Sequence, residues 1–407
     1  MTQVLSKDLS DLLESALNEK IESFDLQIEG NDNGEGHLGE VLFITLTNKS
    51  TNKIDHVVVK QVLESSVENT IDFMSSTFLN EIHFYGKFLP ALQEFQRSYP
   101  GAEIFNHVPK CLGTCLERGK EKLILENLKF RNFTLHPKKE YVGYKMYEAI
   151  FKTYGKYHGA CLAFKHNQPE KFLELSNGFQ NNFKKMVKTG LLERGILGMS
   201  AMVQSTLKET QPELYEKFTP FAEKSVEKFL NCLDYRSPYS VITHGDCWSN
   251  NMMFKINESG TIEDIQLIDF QMSWLGTPVM DLTYSFYAST GKENLEKLDD
   301  LLKEYHDSLS ETLKSYNCDV EKIFPFHALK KEWKEYSAFG SLMGLLLWLH
   351  KTRELKEVPN IGEIMDRSND EQSKPDKKQD LGIEFDHAFF YRSTLPIIKH
   401  MCDNDFL

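Results

Sequence analysis

Apolar residues recur along the chain in two periods, and the change from one to the other divides it. The first 25 residues carry apolar positions at helical spacing, which predicts an amphipathic helix. A glycine- and asparagine-rich stretch follows at 30–39, then two β-rich runs at 41–47 and 54–62 around the polar turn 48–53, a hairpin signal. Between 71 and 95, Phe78, Ile82, Tyr85, Leu89 and Leu92 recur every three or four residues, predicting a helix with one buried face that Pro90 kinks or ends. A short strand over 122–128 closes a small β-rich unit.

Beyond it the pattern turns mostly helical. Met146, Ile150, Tyr154, Tyr157, Cys161 and Leu162 trace one helix, and several more are expected over 172–233, broken by Gly and Pro. One β island interrupts them at 240–243, 252–256 and 262–268, with a turn at 257–260. Helical spacing resumes at 280–288, 295–316 and 330–350 and again near 387–402. Residues 351–380, charged and poor in large apolar groups, predict a mobile loop. The expectation is an α+β chain with a small β-rich N-terminal lobe, residues 1–128, and a large, mostly helical C-terminal lobe, residues 129–407.

Composition narrows the function more than the fold. With 28 Phe and only 36 Gly plus Pro in 407 residues, a disordered or collagen-like chain is excluded. The 47 basic and 60 acidic groups give a net charge of −13, which argues against nucleic acid or an anionic membrane surface as partner. The N-terminus has no apolar core of a signal peptide, and the longest apolar run, near 342–349, is too short to span a bilayer. Seven scattered cysteines form no zinc set and fit reduced thiols in the cytoplasm.

The chemistry gathers at Thr243-His244-Gly245-Asp246-Cys247-Trp248-Ser249-Asn250-Asn251 and, after a β-turn-β unit, Ile268-Asp269-Phe270. Phosphoryl transfer needs a carboxylate to take the acceptor proton, ligands for a metal that neutralises the triphosphate, and a cation on the phosphates. Asp246 with Asn251 five residues on supplies a base and a metal ligand from one loop, and Asp269 a hard oxygen suited to Mg²⁺. Singly, an Asp after Gly is a turn and an Asn a cap; the ordered set carries the signal. Upstream, Lys60 ends the strand Val57-Val58-Val59-Lys60, Glu81 lies on the next helix where it can hold the ammonium, and Gly34-x-Gly36-x-x-Gly39 precedes the hairpin. Acidic Asp32, Glu35 and Glu40 surround those glycines, unusual beside a polyanion. Cys247 has no base partner at a suitable spacing and reads as an inert thiol.

His244-Gly245-Asp246-x-Trp248-x-x-Asn251, Asp269-Phe270-Gln271 and Gly276-x-Pro278-x-x-Asp281-Leu282 together resemble the ecdysteroid kinase-like family, also called CHK kinase-like, which is similar to choline kinases and aminoglycoside phosphotransferases. The Trp two residues after the aspartate and the Gln after Asp-Phe separate it from those relatives, and the resemblance runs from about Leu38 to about His350. It implies a bilobal protein-kinase-like fold and use of ATP and Mg²⁺. It further implies Asp246 as base, Asn251 and Asp269 as metal ligands, and Lys60 with Glu81 on the phosphates. Gly36 and Gly39 would stand in the phosphate loop, with adenine against backbone near Glu126 to Leu128. His244 and Asp281 would act as structural supports, and His158 as a core histidine. The acceptor implied is a small hydroxylated molecule, an ecdysteroid or a detoxified lipophilic compound. The rival reading is a catalytically silent kinase-fold protein that binds a lipophilic ligand or a partner. A protein kinase fits less well, because His-Arg-Asp, Asp-Phe-Gly and Ala-Pro-Glu are missing.

Overall fold

The computed structural model describes residues 5–30, 39–63, 68–352 and 386–407. Gly34, Gly36 and residues 353–380 of the expected loop lie outside the described residues. Helix α1 spans Lys7–Leu17, shorter than its pattern. Ser6 Oγ accepts from the Leu9 N–H at 3.3 Å to cap its start, and Asn18 in the left-handed conformation ends it. The chain then enters a strand that the helical reading of this region missed, β1 (Phe24–Gly30), in which Phe24, Leu26 and Ile28 alternate against β2 (Gly39–Asn48). The predicted hairpin is present, β2 with β3 (Ile54–Val62). With β4 (Cys111–Cys115) and β5 (Lys122–Glu126) they form an antiparallel sheet in the order β1-β2-β3-β5-β4. One face packs Ile44, Leu46, Val57, Val59 and Ile124 against Leu9 and Leu13 of α1. Because side chains alternate, the other face turns Val41, Phe43, Val58, Lys60 and Leu125 toward a cleft.

The predicted 71–95 helix is broken ahead of the place Pro90 suggested. It divides into α2 (Glu68–His83), a π-helical turn Phe84–Phe88, and α3 (Leu89–Arg97). Pro90 is the second residue of α3, directly after the π-helical turn, and that wider turn buries both Phe84 and Phe88.

β6 (Phe133–Leu135) leads to α4 (Tyr144–Asn167), and α5 to α9 follow between Pro169 and Leu233. The β island contains β7 (Val241–Ile242), β8 (Met252–Ile256), β9 (Ile262–Leu267) and β10 (Leu275–Gly276). It forms a β6-β8-β9 sheet and a β7-β10 pair. Next come α10 (Pro278–Ser289), the short α11 (Lys292–Leu295), α12 (Leu298–Ser315), the short α13 (Val320–Ile323), α14 (Phe326–Lys351) and α15 (His387–Asp403).

Every residue of α10 is buried. Helix α14 approaches it so closely that a Cβ on Gly340 would lie 2.3 Å from the Thr283 carbonyl carbon and the Tyr284 nitrogen, so glycine sets the spacing. Among the described residues no helix is long and apolar enough to cross a membrane. All seven cysteines are free thiols.

Candidate active site

The loop from β7 to β8 carries the His-Gly-Asp motif, and its shape depends on two things. Gly245 adopts a left-handed backbone (φ 87°), and a Cβ there would stand 2.1 Å from the Met272 carbonyl oxygen, so no other residue fits. Asp281, buried in the first turn of α10, then holds the loop by its carboxylate. Oδ2 accepts from the His244 N–H at 2.7 Å, and Oδ1 from the Gly245 N–H and the Cys247 thiol, both at 3.0 Å. His158 reaches the same Oδ2 at 3.1 Å and Tyr305 on its other side. Burial would raise the Asp281 pKa, but the His158 hydrogen bond and the charges and donors around it hold it below the usual range. His244 gives its Nε2–H to the Ile268 carbonyl (2.9 Å) and accepts the Asp246 N–H at Nδ1 (3.2 Å), the pattern of a neutral scaffold ring whose pKa burial lowers. Cys247 is buried, and burial with Asp281 beside it pushes its thiol far up, so it is no nucleophile.

Asp246 meets several donors. The Asn251 amide donates to Oδ2 at 2.7 Å and to the Asp246 carbonyl at 2.9 Å, and the Tyr284 hydroxyl donates to Oδ1 at 2.8 Å. Burial, with Asp269 adding, outweighs these donors and Trp248, and pushes Asp246 up to about 6.

A backbone bond from the Ile268 N–H to the Asn251 carbonyl (3.0 Å) brings the end of β9, and therefore Asp269, beside Asn251. Asp269 is in the left-handed conformation (φ 70°), uncommon for a non-glycine residue and a turn that redirects the chain after β9. Lys60 reaches across from β3 to Glu81 Oε2 at 2.6 Å and Asp269 Oδ1 at 3.1 Å. Burial opposes the Lys60 charge, but Asp269 and Glu81 outweigh it and raise its pKa. Burial pushes Glu81 up to about 7 against the pull of Lys60. Phe270 stacks on Phe84 of the π turn (3.6 Å between ring centroids), so the chain after Asp269 is fixed to the Glu81 helix. Asn80, buried beside Glu81, donates to the carbonyls of Gln271 (3.2 Å) and Ser273 (2.9 Å).

These side chains line one cleft of about 360 Å³, within the range of small-molecule sites. Lys60, Glu81, Asp246, Asn251 and Asp269 all border it, as do Gly39, Glu126 and Leu128. Gly36 lies outside the described residues. The Glu126 carboxylate is engaged by Arg131 (3.0 Å) and the Lys110 N–H (2.8 Å). Phe73, Phe78, Phe183, Met186 and Met343 add apolar walls. Met343 belongs to the aromatic helix α14, whose Trp333, Phe339 and Trp348 are core. Among the described residues no three His, Cys, Asp or Glu side chains gather as a self-sufficient metal site. One carboxylate and one amide oxygen do suit Mg²⁺, which keeps waters and takes its remaining ligands from phosphates. Sequence reasoning missed Tyr284 and the role of Asn80. The only available signal for Tyr284 was its place one helical turn after Asp281.

A family model for the ecdysteroid kinase-like family matches residues 33–318. No curated protein matches the sequence. Among solved structures, choline kinase from Cryptosporidium parvum Iowa II is 13% identical, with 94% of this chain and 91% of that one aligned and a TM-score of 0.43. The GDP complex of wild-type aminoglycoside 2'-phosphotransferase-IIIa is 12% identical, with 98% of each chain aligned and a TM-score of 0.44. A glucosamine kinase is 8% identical, covering 94% of this chain and 80% of that one at a TM-score of 0.32. Because the family match spans most of the chain and encloses Lys60, Glu81, Asp246, Asn251, Asp269 and Asp281 alike, the chain belongs to the ecdysteroid kinase-like family of small-molecule kinases.

Proposed function

We propose that the protein is an ATP- and Mg²⁺-dependent O-phosphotransferase acting on a hydroxyl of a lipophilic acceptor, an ecdysteroid or a hydroxylated xenobiotic. The observation that carries this reading is Asp246, 2.7 Å from the Asn251 amide, in the same cleft as the Lys60–Glu81–Asp269 ion cluster. Asp246, ionised above about pH 6, takes the proton of the acceptor hydroxyl as that oxygen attacks the terminal phosphorus, whose bond to the bridging oxygen breaks so that ADP leaves with the electron pair. Lys60, oriented by Glu81, donates to phosphate oxygens, and backbone groups from Glu126 to Leu128 receive adenine. Asn251 commits its amide nitrogen to Asp246, which leaves Oδ1 for a cation, and Asp269 offers the companion carboxylate. Mg²⁺, when bound there, neutralises charge on the phosphates.

The walls formed by Phe73, Phe78, Phe183, Met186 and Met343 favour an apolar acceptor over a polycation. The seven free thiols suit a reducing cytoplasm. A silent binding protein would be expected to have lost one of Lys60, Glu81, Asp246, Asn251 or Asp269, and all are present.

The test is phosphate transfer from MgATP to a panel of ecdysteroids and hydroxylated xenobiotics, read by mass spectrometry. Asp246→Asn lowers turnover roughly 10²–10⁴-fold while leaving nucleotide affinity nearly intact. A full rate in that variant would overturn the assignment of the base, and ligand binding without any transfer would favour the silent protein.

A further inference from the structure

We infer that Tyr284 is a positioning residue for phosphoryl transfer: its hydroxyl fixes the orientation of the Asp246 carboxylate, although Tyr284 itself lies outside the cleft. The inference rests on the phosphotransferase reading above. Asp281 and Tyr284 are three residues apart on α10 and so share one face. That face grips the catalytic loop twice, Asp281 by the backbone of His244 and Gly245, and Tyr284 by the side chain of Asp246 at 2.8 Å.

The terminal torsion of an aspartate is broad and two-fold, so the backbone alone does not orient the carboxylate plane. Donors at both oxygens do: Tyr284 at Oδ1 and Asn251 at Oδ2. The Tyr284 ring has little room to turn away. It is buried, meets Phe339 edge-on at 6.1 Å between centroids, and its backbone nitrogen faces Gly340 at a distance that admits no Cβ. Burial, with Asp246 adding, pushes its phenol well above the usual range, so it remains a donor. It is not among the cleft-lining residues, so its hydroxyl has no evident role in contacting nucleotide or acceptor. A misaligned base costs rate because proton transfer requires close, directed contact with the attacking hydroxyl.

The test compares Tyr284→Phe, which removes one oxygen and keeps the ring, with wild type, Asp246→Asn and the double variant. Phosphate transfer from MgATP is followed with ecdysone as probe acceptor and with water as background acceptor. Tyr284→Phe lowers kcat about 10- to 100-fold, the worth of one hydrogen bond to a charged group, and leaves the KM for MgATP unchanged and the protein folded, with at most a modestly lower thermal midpoint from the lost bond. In the Asp246→Asn background the same change has no further effect, because the group being oriented is no longer a base.

Three results overturn the inference alone, provided Asp246→Asn is impaired: an unchanged kcat in Tyr284→Phe, an equal fold-loss in both backgrounds, and loss of the fold in Tyr284→Phe. A fully active Asp246→Asn, or a wild-type protein that transfers phosphate to neither acceptor, overturns the underlying reading and this assignment with it.

Discussion

Asp246 stands where opposing influences on one carboxylate nearly meet. Burial and Asp269 favour the protonated form, while Tyr284, Asn251 and Trp248 favour the ionised form, and the outcome is a pKa of about 6. In the proposed role of base Asp246 must be ionised to act, so kcat/KM is expected to fall as pH drops through about 6, roughly tenfold per unit below it. Rates measured from pH 4.5 to 8 check this; a limb near 4, where an ordinary aspartate titrates, would mean that the buried carboxylate is better solvated than its surroundings indicate.

Asp246, Asn251 and Asp269 were legible in the sequence because their chemistry is local, one loop and one strand end. Lys60 and Glu81 were legible only through them, since a lysine on a strand and a glutamate on a helix are ordinary surface residues alone. Tyr284 was not legible. A tyrosine in an apolar helix reads as core, and the carboxylate it serves is 38 residues earlier in the chain.

Helix α10 is the element on which the site depends, and its position is set from both ends and one side. Thr277 caps its start, accepting from the Val279 N–H at 3.3 Å. At its end the buried Lys351 amine donates to the Ala288 carbonyl at 2.7 Å and the Ser289 hydroxyl at 3.0 Å, satisfying a carbonyl the helix leaves unpaired. Gly340 permits the approach of α14 from the side. Gly340→Ala places a methyl against the backbone of Thr283 and Tyr284, which cannot yield as a side-chain tip would. The expected cost is about 1–3 kcal/mol of overpacking, with a lower urea midpoint and a lower kcat as α10 shifts beneath the catalytic loop. A variant with unchanged midpoint and turnover would show that α14 slides without consequence.

Elements with long, clean periods were readable, α4, α12 and α14 among them. β1 was hidden because its alternation begins inside a stretch of helical spacing, and pairing along the whole length of β2 overrides the local preference. β4 was hidden because Cys-Leu-Gly-Thr-Cys has weak strand propensity and an irregular register at Cys111/Gly113. The π turn was hidden because i to i+5 geometry leaves no simple apolar period.

At the scale of the whole molecule, the charge distribution opposes the ligand that the site is proposed to bind. Residues 1–128 carry 11 basic and 20 acidic side chains, within a chain of net charge −13. The cleft repeats the imbalance, with Lys60, Lys129 and Lys138 set against Glu40, Glu81, Glu126, Asp246 and Asp269. Lys60 is already engaged by two of these carboxylates, Glu81 and Asp269. A nucleotide triphosphate of about −4 charge entering without a metal would face net repulsion in a partly desolvated space, where each unscreened pair is worth on the order of 1–4 kcal/mol. If Asn251 and Asp269 held Mg²⁺ as proposed, the ion would neutralise phosphate charge, and Asp269, as its ligand, would compete less for Lys60, whose ammonium could then serve the phosphates. ATP affinity should therefore fall by at least about 100-fold when Mg²⁺ is chelated, measured by calorimetry at fixed ionic strength so that screening does not vary. Asp269→Ala should bind ATP with little difference between the two conditions, because the ligand that couples metal to lysine is gone. Equal wild-type affinity with and without Mg²⁺ would place the positive field elsewhere in the cleft, at Lys129 and Lys138, and remove Asp269 from the metal's ligands.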